Sequence, residues 1–149
     1  MKIFKIILLI LVVVFVGIQF IPTKRNQSTS VPTTDFIVVN AAPQNISNIL
    51  QTSCYDCHSN NTYYPWYNKV QPAAWFLESH IEEGKAELNF SEWDTYSDRR
   101  KKSKLKSIVS QIEDNEMPLS SYTILHQDAK LSPQQKTEVI EWMNKMIIN

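Results

Sequence analysis

The chain has 149 residues, of which 43% are hydrophobic, 20% are charged and only two are glycine, a balance that suits helices better than an all-β fold. Formal charge is zero, but Lys2, Lys5, Lys24 and Arg25 flank the N-terminal apolar segment, so the rest holds eleven basic against fifteen acidic residues. A domain near −4 lacks the net basic face that phosphate neutralisation requires, which argues against nucleic acid as the partner.

Residues 6–21 read IILLILVVVFVGIQFI, and with Ile3 and Phe4 they approach the roughly 20 apolar residues of a bilayer-spanning helix. The run ends in Gln19, Phe20, Ile21 and Pro22 and has no Ala-x-Ala-like site, so an uncleaved anchor over 1–22 is expected ahead of a signal peptide. Lysines on both sides leave its orientation open. Residues 23–43 mix Ser, Thr, Asn and Pro and read as a linker. The remaining segment, 44–149, is long enough for one modest core.

Four helical patterns follow. The first places Ile46, Ile49, Leu50 and Ser53 on one face and runs into Cys54. The second begins after Pro72 and aligns Ala73, Leu77, His80, Ile81, Gly84 and Leu88, which turns His80 inward. A third, with Leu105, Ile108, Val109 and Ile112 at helical spacing, follows the basic run of residues 99–106 and breaks at Met117 and Pro118. The fourth opens with Ser132 as N-cap, Pro133 at the first position and Gln135 completing a capping box, then buries Val139, Met143, Met146 and Ile147.

The chemistry is concentrated in residues 54–58, Cys-Tyr-Asp-Cys-His, the pattern of covalent haem attachment. Each cysteine sulfur adds to one porphyrin vinyl group, and the two-residue gap matches the vinyl separation on a tight turn. His58 then lies under the iron as its proximal ligand, and one covalent haem c is implied. The rival readings each lack something. A redox dithiol should follow a strand in a βαβ unit; zinc needs a fourth ligand and a second Cys/His pair; a disulfide over two residues closes little loop entropy and leaves His58 without a role.

The tract CYDCHSNNTYYPWYNKVQPAAWFLESHIEEGKAELNFSEW, followed by EMPLSSYTILHQDAKLSPQQK, resembles the bacterial haem-binding domain family with a single CxxCH. That resemblance runs from about residue 46 to the C-terminus. It implies a c-type haem in an exported or membrane-tethered domain.

A second axial ligand closes the iron of an electron carrier, and Met117, in a Pro-bounded loop, is the leading candidate. His80 is the alternative, while Met143 and Met146 belong to an apolar stripe. His126, near Asp128, reads as a solvated or capping residue. Tyr63, Tyr64, Trp66, Tyr67, Trp75 and Trp93 are numerous enough either to wall a porphyrin or to form plain core. The basic run is read as a solvated face ahead of a docking site for an acidic redox partner.

The expectation is therefore an all-α, cytochrome c-like small helical domain after an N-terminal transmembrane helix. Its function would be one-electron transfer at the membrane surface, outside the cytoplasm where thioethers form, with an unidentified redox partner protein. The alternatives are a peroxidase-like haem enzyme or a haem-based sensor, both with an open sixth site. No array of catalytic acid, base and nucleophile is apparent.

Overall fold

A computed structural model describes residues 2–148. Among them there is no strand; the chain is all-helical. Its helices are α1 (Lys2–Ile18), α2 (Phe36–Val39), α3 (Gln44–Ser53), α4 (Tyr55–His58), α5 (Ala73–Glu87), α6 (Asp98–Glu113), α7 (Ser120–Thr123) and α8 (Pro133–Ile148), with 3-10 turns at Trp66–Lys69, Phe90–Thr95 and Gln127–Ala129.

The local signals act as their chemistry requires. Ser132 Oγ accepts from the Gln135 amide at 3.2 Å while Gln135 Oε1 accepts from the Ser132 amide at 2.8 Å, so both unpaired donors at the start of α8 are satisfied. In α6, Ser97 caps the first turn by accepting from the Arg100 amide. Leu105, Val109 and Ile112 are buried at helical spacing on α6, and Val139 and Met143 on α8, which makes the α6–α8 contact the most extensive in the fold. α3 also touches α8, so the first and last helices of the domain meet.

Two expectations at the N-terminal end change. The apolar segment forms a helix of only 17 residues, about 26 Å at 1.5 Å per residue, against roughly 30 Å of bilayer hydrocarbon. No helix among the described residues is long and apolar enough to cross a membrane, so the transmembrane helix is not supported. The helix ends where Gln19 turns toward the domain, accepting from the Gln71 amide at 2.8 Å and donating to the Gln71 carbonyl at 3.2 Å.

The stretch read as linker is built into the domain at several points. Phe36 is fully buried, with its ring centroid 4.6 Å from that of Trp93 in an edge-to-face contact, 5.1 Å from Phe90 and 5.6 Å from Trp142. The Asp35 side chain caps α2 by accepting from the Ile37 amide and also accepts from Tyr55 Oη at 2.9 Å. Asn26 donates to the Ser59 carbonyl and to Thr62 Oγ1, and accepts from the Lys85 ammonium. Composition alone hides this, because one phenylalanine and the side chains of Asp35 and Asn26 carry the attachment.

Candidate functional site

α3 delivers Cys54 at its C-terminal end, and the chain turns immediately into α4. The His58 amide donates to the Cys54 carbonyl at 3.0 Å and that of Cys57 at 3.3 Å, so the five residues of the motif wind as one tight turn. Both cysteines are unbridged and half-buried. Burial, reinforced by the neighbouring Cys57 sulfur, pushes the Cys54 thiol up to about 12; burial and then Asp56 push Cys57 up to about 11. These thiols stay protonated at neutral pH, unlike the low-pKa thiolate of a reactive redox dithiol. Among the described residues, no three or more His, Cys, Asp or Glu side chains are grouped to hold a metal ion.

His58 is held by two carbonyls, Gly84 O at 2.9 Å and Leu88 O at 3.0 Å, both facing Nδ1. Carbonyls only accept, so Nδ1 carries the proton and Nε2 presents a lone pair. Burial keeps the imidazole neutral by lowering its pKa below the ordinary histidine value, an effect that outweighs the two carbonyl bonds. An oriented neutral histidine with its second nitrogen tied to backbone is the form that ligates a metal.

Gly84 explains how α5 comes so close. A Cβ at that position would lie 2.8 Å from the Cys57 carbonyl oxygen and 3.3 Å from Cys57 Cβ, so only glycine lets α5 press against the motif turn.

The cysteines and His58 open onto a cleft with two lobes, of about 270 Å³ and 340 Å³. Cys54, His58, Met117 and Pro118 border both lobes. The first is walled by Leu88, Phe90, Ile108 and Ile112, with Lys104 at its edge; the second adds Cys57, Asp56, His80, Glu83 and Tyr122. The volumes and apolar walls match a site for a cofactor-sized ligand. The residues present therefore fit a haem: two thiols on one turn, a free imidazole nitrogen, Met117 bordering the same cleft, and an apolar slot.

Met117 lies just beyond α6, its amide donating to the Gln111 carbonyl at 3.1 Å, and it is brought into the cleft with the motif. His80 departs from the expected inward position. α5 buries Ala74, Leu77 and Ile81 instead, and His80 is half-exposed with its ring 4.2 Å from the exposed ring of Phe76. It borders only the second lobe. The aromatic wall is not built as counted: none of Tyr63, Tyr64, Trp66, Tyr67, Trp75 and Trp93 lines either lobe, and Phe90 and Tyr122 do so instead. Trp93 is core, while Tyr63 and Trp66 are exposed.

Sequence reasoning missed Asp56. Its carboxylate accepts from Tyr122 Oη at 2.7 Å and from the Tyr63 amide at 2.9 Å. Burial and this bond raise the Tyr122 hydroxyl well above the usual phenol value. The Tyr122 ring stacks on His126, centroids 4.2 Å apart, and His126 Nε2 shares a 2.7 Å hydrogen bond with Tyr67 Oη. The loop carrying Met117 is thereby fastened to the motif turn. Asp56 and Tyr122 are far apart in sequence, and no spacing signals their pairing.

Part of the basic run is engaged within the domain: Arg100 lies over the Tyr96 ring at 3.9 Å, Lys101 pairs with Asp94 at 2.8 Å, and Lys104 with Glu87 at 3.5 Å.

No curated protein and no solved structure matches the chain. The sequence pattern of the haem-binding domain family matches residues 13–145, most of the length, and covers the motif turn, the cleft and most of α8. The chain belongs to the haem-binding domain family.

Proposed function

We propose that the protein is a monohaem c-type cytochrome that carries single electrons outside the cytoplasm. The observation that carries this reading is the arrangement of His58, whose Nδ1 is committed to two backbone carbonyls while Nε2 is left for iron in a cleft that Cys54, Cys57 and Met117 also border. Cys54 and Cys57 would hold the group through thioethers, His58 would ligate one face of the iron and Met117 the other. When bound, the haem supplies reversible one-electron chemistry, and methionine ligation favours its reduced form. The chain's own part is to orient the imidazole, keep it neutral and exclude water with Leu88, Phe90, Ile108 and Ile112.

A membrane location is part of the same proposal. α1 buries none of its residues, and its exposed apolar side chains are suited to contact with lipid. Thioether formation on CxxCH takes place outside the cytoplasm, which puts the domain on that side. Protease added to spheroplasts should degrade the domain, and full protection would contradict this topology.

One observation favours a second reading. His80 and Glu83 share the second lobe, where a histidine could act as an acid/base group beside an open sixth site, as in a peroxidase-like enzyme. Optical spectra with and without carbon monoxide separate the two. A carrier is low-spin and slow to bind carbon monoxide; a high-spin protein that binds it at once supports the enzyme.

A further inference from the structure

The two lobes of the cleft differ in charge. The second carries Asp56 and Glu83, and Glu87 borders both. Lys104 is the one lysine or arginine among the described residues lining either lobe, and it belongs to the first. On α6 it is followed by Ser107 and Gln111 at positions i+3 and i+7, so the three side chains stand along one helix face toward the cleft.

Haem carries two propionate carboxylates on the ring edge opposite its vinyl groups; Cys54 borders both lobes and Cys57 only the second. A carboxylate taken into an apolar cleft must find donors, and beside Asp56 or Glu83 it would meet like charge. We propose that Lys104, with Ser107 and Gln111 beside it, is the seat of one haem propionate in the first lobe, an inference that rests on the haem reading above.

The present partner of Lys104 is easily exchanged. Glu87 Oε2 is 3.5 Å away, and the Glu87 side chain is 83% exposed, so it can return to water when a propionate takes its place. Lys104 brings its positive charge to the lobe that His58 also borders. The same charge acts on the iron, so Lys104 raises the reduction potential as well as binding the group.

The test uses the full chain matured with haem, as wild type, Lys104→Gln and Lys104→Arg. A c-type pyridine haemochrome from the wild type checks the haem reading separately. With haem attached, Lys104→Gln should shift the propionate-bending band in the resonance Raman spectrum and lower the equilibrium constant for reduction by about three- to tenfold. Lys104→Arg should retain both. An unchanged band and potential in Lys104→Gln would overturn the proposal.

A second measurement needs no variant. Lys101 and Lys104 are both paired with a carboxylate and both have side chains 23% exposed. In the haem-loaded wild type, Lys104 should be acylated several-fold more slowly than Lys101, read by mass spectrometry. Equal rates would overturn the proposal.

Discussion

Replacing Gly84 by alanine tests how the motif turn and α5 hold His58. In most helix interiors this change stabilises, by about 1 kcal/mol, because alanine is the better helix former. Here the added Cβ would stand 2.8 Å from the Cys57 carbonyl oxygen, a backbone atom with no rotamer to escape into. Overpacking of this kind costs about 1–3 kcal/mol. The displacement would also lengthen the bonds from His58 Nδ1 to Gly84 O and Leu88 O, each worth about 1 kcal/mol. The balance is a net loss of about 1–3 kcal/mol, or a fall in Tm of roughly 2–12 °C for a chain of this size. Urea and thermal unfolding of the haem-loaded protein measure it, with haemochrome yield reporting maturation. Gly17→Ala is the control, since nothing lies within 4 Å of its Cβ position. A Gly84→Ala protein as stable and as fully loaded as wild type would refute the close approach as the reason for glycine.

Further expectations follow from the cleft and its supports. Met117→Ala should remove the weak near-infrared sulfur-to-iron band of the oxidised protein, open the iron to carbon monoxide and lower the potential, while His80→Ala leaves that band intact; the reverse pattern would make His80 the ligand. Tyr122→Phe removes the bond to Asp56 that fastens the Met117 loop, so carbon monoxide affinity should rise by about tenfold with haem attachment unaffected, as judged by titration. No change in affinity would show that the loop is held otherwise. Tyr55→Phe strips a donor from Asp35, which is only 2% exposed, and should cost about 1–3 kcal/mol in urea unfolding; a neutral result would mean that the caps of α2 suffice.

Where local chemistry decides structure, the sequence was readable. The Ser132–Gln135 box and the apolar period of α6 act within a few residues, and the helices form where those signals lie. The CxxCH turn is equally local, because spacing alone places both sulfurs and the imidazole together. What escaped depends on distant partners. Phe36 sits in a polar stretch and is core only because Phe90, Trp93 and Trp142 surround it. Asp56 gains its role only from Tyr122, 66 residues away. His80 shared an apolar register, but α5 rotates Ala74, Leu77 and Ile81 into the core and leaves it at the cleft rim. The hydrophobic run at the N-terminus gave length without showing where the helix would stop, and Gln19 ends it against Gln71.

Covalent attachment through both cysteines is the claim on which the rest depends. The direct measurement is acid-acetone extraction of the protein matured with c-type haem machinery, followed by pyridine haemochrome spectroscopy and intact mass. The account predicts haem that resists extraction, a c-type haemochrome, and a mass increment of one haem that is lost in the Cys54→Ala, Cys57→Ala double variant. Extractable haem, or the same increment in the double variant, would contradict it.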